Sequence, residues 1–190
     1  VALAHCVHLS NDEIKTLKTT GTNVVHCPSS NLKLGSGIAP IVTLLEEGVS
    51  VSLGADGAAC NNRLDMFTEM RTAALLQKAL HGPEVLPASR VLRMATIDGA
   101  KALGLDSEIG SLEVGKRADV AVVRLDRLHA TPVTDVVSAL VYSAAPGDVD
   151  TVIIDGQLVM REGKLVTINE KETITDARAQ REQLTADLGG

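Results

Sequence analysis

The chain has 190 residues, of which 45% are hydrophobic and 22% are charged, and its formal net charge is −6. This length predicts one domain or one and a half, with enough apolar content to build a core. A negative net charge does not favour binding to nucleic acid or to an anionic membrane. No run approaches the roughly 18 consecutive apolar residues of a membrane-spanning helix. We therefore expect neither nucleic acid nor a membrane among its partners.

The cysteines indicate the compartment. Cys6, Cys27 and Cys60 are an odd number and have no CxxC spacing. Disulfides persist in oxidising compartments, and an odd set without paired spacing is typical of reduced thiols. We therefore expect a cytoplasmic protein.

The first eighty residues alternate between short apolar runs and amphipathic segments. Strands are predicted in "VALAHCVHL", "TNVVHC" and "VSVSLGAD", and helices in "SNDEIKTLKTTG", "IAPIVTLLEEG" and residues 65–80. Ser10 and Glu13 form a capping-box signature where the first helix begins. The segments "PSSNLKLGSG" and "GAACNNRL" are predicted to be loops. Apolar strands that alternate with helices favour a parallel sheet covered on both faces.

The pattern changes after the next predicted helix, which spans residues 88–103. A turn and a strand are predicted in "IGSLEVGKRADVAVV", and Asp155-Gly156 predicts a hairpin turn. Further helices are predicted over residues 132–143 and 169–188. We expect a boundary near residue 106, which gives an α/β segment over 1–106, a β-rich segment over 107–168 and a C-terminal helical segment over 169–190.

Each of the three predicted parallel strands ends in one ionisable residue: His5, His26 and Asp56. Active sites of parallel α/β barrels lie at the carboxyl ends of the strands and use residues from several strands. Taken singly, each histidine is as well explained as a hydrogen-bonded core residue, and Asp56 as a turn former beside Gly57. Their succession on three strands favours a shared site.

A carboxylate at the end of a buried strand is costly unless a counter-charge neutralises it. A carboxylate and imidazoles that converge at a barrel mouth suit Zn²⁺, which binds nitrogen and oxygen ligands and keeps a position open for water. We therefore predict that Asp56 binds a divalent metal and accepts the proton of an attacking water. Zinc is the expected metal, with iron as the alternative.

Four segments carry a family resemblance: "AHCVHLS", "VVHCPSSNLKLGSGIAP", "LGADGAACNNRLDMFTEMRTAALLQK" and "GSLEVGKRADVAVV". They resemble the amidohydrolase superfamily, and within it the branch of 5-methylthioadenosine/S-adenosylhomocysteine deaminases. The resemblance covers nearly the whole chain. It implies the last part of a (β/α)8 TIM barrel with strands six to eight, together with much of a small β-sandwich.

The resemblance also implies residue roles. Asp56 matches the last-strand aspartate, which binds the metal and shuttles the proton, and His5 matches the histidine that orients the attacking water. His26 lies where the seventh-strand histidine is found near the substrate. Asn31 and Asn61 lie in rim loops and are candidates for substrate binding, as is Asp56. The implied activity is hydrolytic deamination of an adenosine-type nucleoside with release of ammonia.

Several parts of the family site have no match in this sequence. The paired HxH metal ligands, the fifth-strand histidine and the purine-reading glutamate all belong to segments that would precede Val1, where the sequence enters a strand without a polar lead. We therefore expect the back part of a longer protein, whose N-terminal half, on the same or another chain, completes the site. A truncated barrel exposes an apolar strand edge, so pairing into a homo-oligomer is a further expectation.

Alternatives remain open at this point. The same chemistry acts on guanine, cytosine or a chlorotriazine, and the chain is otherwise a non-catalytic half that packs against a complementary chain. Among the other polar residues, Glu69 is expected in an ion pair or on a solvated helix face, His129 in solvent, and His8 in a supporting role near the site.

Overall fold

The computed structural model describes residues 1–188. Three strands form a parallel sheet in the order β1-β2-β3, and four later strands form an antiparallel sheet in the order β4-β5-β6-β7. The strands are β1 Ala2–Ala4, β2 Asn23–His26, β3 Val51–Leu53, β4 Val120–Val123, β5 Val149–Ile154, β6 Gln157–Arg161 and β7 Lys164–Leu165. The helices are α1 Asn11–Thr19, α2 Pro28–Lys33, α3 Ile41–Glu46, α4 Ala58–Asn61, α5 Met66–His81, α6 Ala88–Met94, α7 Ile97–Leu103, α8 Val136–Tyr142 and α9 Glu170–Leu188. Within residues 1–188, no helix combines the length and the apolar character that crossing a membrane requires.

The parallel sheet places its three strand ends at one edge. Leu3 pairs with Val24, and Val24 pairs with Val51, so the strands lie in register side by side. Because parallel strands run in the same direction, the residues that follow them emerge together at the carboxyl edge. The predicted parallel sheet is confirmed, and it sets up the site described below.

The first helix begins where its capping signature predicts. The Glu13 amide donates to Ser10 Oγ at 3.3 Å, and the Ser10 amide donates to Glu13 Oε2 at 2.7 Å. This reciprocal pair satisfies two donors that the first helical turn leaves free. Helix α1 then buries Ile14 and Leu17 against the sheet layer.

One apolar core lies between the parallel sheet and its helices. Its fully buried members include Val24 and Val51 from the strands and Ile41 and Leu44 from α3. Val141 of α8 joins the same core, and α8 packs against α5 and α6. The boundary predicted near residue 106 falls between α7 and β4. Helix α8 belongs to the predicted segment 107–168 but packs on the segment 1–106. The division into three segments stays a prediction.

Three predicted local structures were wrong. The "PSSNLK" segment forms helix α2, and "AACN" forms the short helix α4, although both were expected to be loops. The single helix expected over 88–103 is two helices, α6 and α7, with a break at Ala95 and Thr96. Both short helices contact β3, and α7 also contacts β2, so the break lets each lie against the sheet.

The antiparallel sheet follows its predicted hairpin. Asp155 and Gly156 have φ values of 51° and 77°, the positive pair that a tight two-residue turn between β5 and β6 requires. Glu162 and Gly163 repeat this geometry between β6 and β7. The closing helix α9 is confirmed from Glu170 to Leu188; residues 189–190 of the predicted C-terminal segment lie outside the described part of the chain.

Candidate active site

The carboxyl edge of the parallel sheet brings two of the three predicted residues together. His5 follows β1 and Asp56 follows β3, and His5 Nε2 lies 3.8 Å from Asp56 Oδ2. The His5 amide donates to the carbonyl of Val25 at 3.0 Å, which fixes the start of the β1 loop against β2. The two side chains therefore share one edge of the sheet, as the strand-end pattern predicts.

Asp56 is held by two donors. Ser30 Oγ donates to Asp56 Oδ2 at 2.6 Å, and the Gly57 amide donates to Oδ1 at 2.7 Å. The Ser30 hydroxyl, then the Gly57 amide and then the nearby His5 favour the charged form and hold the pKa of this carboxyl below its ordinary value. Strand β3 is buried, as expected, but the Asp56 side chain that follows it is 27% exposed, and two hydrogen bonds stabilise its carboxylate in this structure.

The His5 ring is oriented by a buried amide. His5 Nδ1 donates to Asn31 Oδ1 at 2.8 Å, and Asn31 is 2% exposed at the edge of α2. Because Nδ1 donates to Asn31, the other ring nitrogen, Nε2, is the one directed towards Asp56. The backbone of both His5 and Asp56 is left-handed, with φ values of 67° and 62°, which turns each side chain off its strand towards the common edge.

The two asparagines predicted to bind substrate, Asn31 and Asn61, are buried and form hydrogen bonds with other residues of the site. Asn31 contacts His5, as described, and Asn61 is 9% exposed. Asn61 Nδ2 donates to the carbonyl of Ala55 at 2.6 Å and to Glu69 Oε1 at 2.8 Å. These contacts support the loop that carries Asp56. Substrate binding by Asn31 and Asn61 stays a prediction.

His26 forms no hydrogen bond with His5 or Asp56. Residues alternate between the two faces of a strand, and His26 shares the face of Val24, which packs into the core under the helices. The ring has no exposed surface, and neither ring nitrogen has a hydrogen-bond partner among the described residues. Burial, and next the nearby His5, lower the pKa of His26 to about 4. Its predicted place near the substrate stays a prediction.

The buried neutral ring predicts a stability loss in mild acid. Above pH 6.5 His26 is neutral in the folded and unfolded states; between pH 6.5 and about 4 only the unfolded state binds the proton, so the folded state loses up to about 3 kcal/mol. Urea unfolding at pH 7.0 and pH 4.5 measures this loss. His26→Met is expected to remove most of it, while exposed His81→Gln leaves it intact; equal acid sensitivity of His26→Met and the parent chain would refute this assignment.

The residues present fit part of a metal site. The Asp56 oxygens accept one strong hydrogen bond each and keep lone pairs free, and His5 Nε2 faces Oδ2 across 3.8 Å. Both atoms can supply a lone pair, so a proton, a water or a cation can be shared between them. No group of three His, Cys, Asp or Glu side chains within residues 1–186 is arranged to hold a metal alone. This chain therefore offers Asp56 as one ligand of a larger set.

Two supporting residues escaped the sequence analysis. Ser30, the strongest donor to Asp56, stands in a segment expected to be a loop. Glu69 was expected in an ion pair or in solvent, but it is fully buried and accepts hydrogen bonds from Asn61 and from the Ser29 amide. His129 is exposed, as expected, with half of its side chain accessible, and its Nε2 also lies 2.8 Å from Oδ2 of the buried Asp148.

Comparison with known proteins decides the family. The model of the amidohydrolase family matches residues 1–159. The chain belongs to the amidohydrolase family. It is 54% identical over 178 residues to the 5-methylthioadenosine/S-adenosylhomocysteine deaminase of Desulforudis audaxviator, a match that covers 93% of this chain and 41% of that protein. It is also 51% identical over 187 residues to the 5'-deoxyadenosine deaminase of Methanosarcina acetivorans, covering 98% of this chain and 43% of the relative.

Solved structures of other amidohydrolases give the same result. An adenosine deaminase from Xanthomonas campestris with bound zinc matches with a TM-score of 0.95 and 40% identity, over 97% of this chain and 42% of the other. An atrazine chlorohydrolase from Arthrobacter aurescens complexed with zinc matches with a TM-score of 0.88 and 30% identity, over 94% of this chain and 40% of the other. The predicted family and the predicted segment of a TIM barrel with a β-rich unit are confirmed. This amidohydrolase chain spans about two fifths of the length of the relatives it matches.

Proposed function

We propose that this chain forms part of a metal-dependent hydrolytic deaminase that acts on an adenosine-type nucleoside, 5'-methylthioadenosine or S-adenosylhomocysteine. One observation carries the proposal: the Asp56 carboxylate and His5 Nε2 face each other at the carboxyl edge of the parallel sheet. The printed names of the relatives, deaminases of these nucleosides and of 5'-deoxyadenosine, support the substrate class.

The proposed reaction replaces the amino group of the adenine ring by oxygen. Water adds to the ring carbon, the carbon–nitrogen bond breaks, and ammonia leaves. Asp56 Oδ2 takes the proton from the water and returns it to the departing nitrogen, a role that suits a carboxylate kept ionised by Ser30 and Gly57. His5 Nε2 accepts a hydrogen bond from the same water and orients it, because Asn31 fixes the opposite nitrogen of the ring as the donor.

A divalent metal fits this proposal with Asp56 as one of its ligands. When bound, the metal supplies Lewis acidity that lets water attack near neutral pH. Zinc is the preferred ion because two of the similar solved structures contain it, with iron as the alternative. The remaining ligands would come from the part of the relatives' length that this chain does not span, on the same or another polypeptide. The three free cysteines support a reducing, cytoplasmic location.

The test uses an assembled enzyme, defined as the Desulforudis audaxviator deaminase with its matching segment replaced by this chain. We expect the zinc-loaded assembled enzyme to release ammonia from 5'-methylthioadenosine and S-adenosylhomocysteine at rates within about tenfold of the relative itself, since this chain supplies the Asp56 and His5 pair. The relative is the positive control, and this chain alone is the negative control. A folded assembled enzyme that contains zinc but releases no ammonia from either nucleoside would contradict the proposal.

A second candidate function is hydrolysis of a chlorotriazine, favoured by the likeness to the atrazine chlorohydrolase. The lower identity of that match, 30% against 54% for the nucleoside deaminase, makes it the weaker candidate. Ammonia release from guanine and cytosine, and chloride release from atrazine, separate these substrates. A purely structural role for the chain predicts that replacing Asp56 or His5 leaves turnover unchanged.

A further inference from the structure

Glu69 is a buried acidic side chain that the proposed reaction does not use. It lies in the first turn of α5, has no exposed surface, and forms no ion pair with a cationic side chain of residues 1–188. A carboxyl group in such a place is costly unless specific hydrogen bonds compensate for lost water. Its neighbours therefore indicate what the residue does.

The two carboxylate oxygens of Glu69 accept hydrogen bonds from two groups that support Asp56. Oε1 accepts from Asn61 Nδ2 at 2.8 Å, and the same amide nitrogen donates at 2.6 Å to the carbonyl of Ala55, the residue before Asp56. Oε2 accepts at 3.1 Å from the amide of Ser29, the residue before Ser30, whose hydroxyl holds Asp56 Oδ2. The Asn61 contact therefore reaches the residue directly before Asp56, and the Ser29 contact lies directly before Ser30, which donates to the Asp56 carboxylate.

From this geometry we infer that Glu69 is a positioning residue for Asp56. The left-handed backbone of Asp56, at φ 62°, persists where the surrounding structure determines it, and the Asn61 contact to Ala55 supplies one such constraint directly before it. The Ser29 contact sets the start of α2 and with it the Ser30 hydroxyl. The inference rests on the proposed function for its kinetic consequence, while the positioning itself is a property of this chain.

Glu69→Gln is the sharpest variant, because it keeps the volume and exchanges one acceptor oxygen for a donor. Asn61 Nδ2 and the Ser29 amide are both donors, so one of the two contacts must break. Changes to groups that orient a metal-ligating side chain commonly cost 10- to 100-fold in activity or metal affinity. We expect kcat of the assembled enzyme to fall by about that factor, with KM changed by less than about threefold, and zinc to be lost to a chelator correspondingly faster.

Gln77 supplies a matched control on the same helix. It is also fully buried, and its amide donates to the carbonyl of Ala39 at 3.2 Å, away from the site. Gln77→Leu is expected to change thermal stability as much as Glu69→Gln does but to leave kcat and zinc retention within about twofold. If Gln77→Leu lowers kcat to the same extent, Glu69 acts only through general stability and the inference is overturned.

A double-mutant cycle with Asn61 separates positioning from substrate contact. If Glu69 acts through Asn61, then Asn61→Ala lowers kcat with little effect on KM, and adding Glu69→Gln to it costs less than about threefold more. If the losses in kcat of the two single variants multiply in the double variant, Glu69 does not act through Asn61. A rise in KM with Asn61→Ala would indicate that Asn61 contacts the substrate, and this would also contradict the proposed action through Asn61.

Amide hydrogen exchange tests the inference without activity or metal. In the metal-free assembled enzyme, Glu69→Gln is expected to speed exchange of the peptide covering residues 55–62 by at least about tenfold, and Gln77→Leu is not. If the assembled enzyme shows no deaminase activity but exchange and zinc retention respond as stated, the proposed function fails and the positioning role stands. Unchanged exchange at residues 55–62 in Glu69→Gln overturns the positioning role whatever the activity.

Discussion

Asp56→Asn is expected to lower kcat of the zinc-loaded assembled enzyme by about 10³-fold or more. The amide keeps the size of the side chain but loses both the negative charge that a cation needs and the capacity to take a proton from water. The Ser30 hydroxyl, which now donates to Oδ2, would meet a neutral partner. Ammonia release under saturating 5'-methylthioadenosine measures the loss, and zinc content after dialysis is expected to fall in parallel.

The control for this variant is Asp135→Asn. Asp135 caps the start of α8, where its side chain accepts from the Ser138 amide, and asparagine caps a helix about as well as aspartate. We expect its kcat to stay within about twofold of the parent enzyme. Retention of more than a tenth of the parent kcat by Asp56→Asn would leave only a structural role for this chain.

His5→Gln is expected to lower kcat by about 100-fold. Glutamine still reaches Asn31 but cannot present an imidazole nitrogen towards Asp56 Oδ2, which lies 3.8 Å from His5 Nε2 in the parent chain. The loss is smaller than for Asp56 because orientation of the water, and not transfer of its proton, is removed; general acid–base groups commonly contribute 10²- to 10⁴-fold. Steady-state kinetics with the same nucleoside measure it.

His8→Gln is the matched control for this variant in the same loop. His8 is exposed, and its Nε2 lies 3.0 Å from the carbonyl of Ser36, so it contacts the neighbouring rim loop and not Asp56. We expect less than a threefold change in kcat. Equal losses in the two variants would show that the loop as a whole, and not the His5 ring, matters for turnover.

Local patterns predicted much of the fold. The capping box at Ser10 and Glu13, the apolar strands and the Asp155-Gly156 turn each depend on residues close in sequence, and all three were found where expected. Helix α2 was missed because "PSSNLK" has turn-like composition. Its Ser30 and Asn31 are buried and form hydrogen bonds with Asp56 and His5, each 26 residues away from its partner.

The candidate site was predicted only in its outline. The strand-end pattern located His5 and Asp56, because parallel strands bring their carboxyl ends together whatever the loops do. Glu69 could have been found from helix periodicity, since it precedes buried Ala73 and Gln77 by one and two turns on α5. Sequence alone offered no sign that its partners are Asn61 and Ser29, because those contacts join three separate segments.

Anomalous diffraction at the zinc absorption edge shows whether Asp56 is a metal ligand. In crystals of the zinc-loaded assembled enzyme, we expect an anomalous peak about 2.0–2.2 Å from an Asp56 carboxylate oxygen, the usual zinc–oxygen distance. A fully occupied zinc peak that lies away from both Asp56 oxygens, or an Asp56→Asn enzyme that keeps the peak at full height, would contradict this expectation.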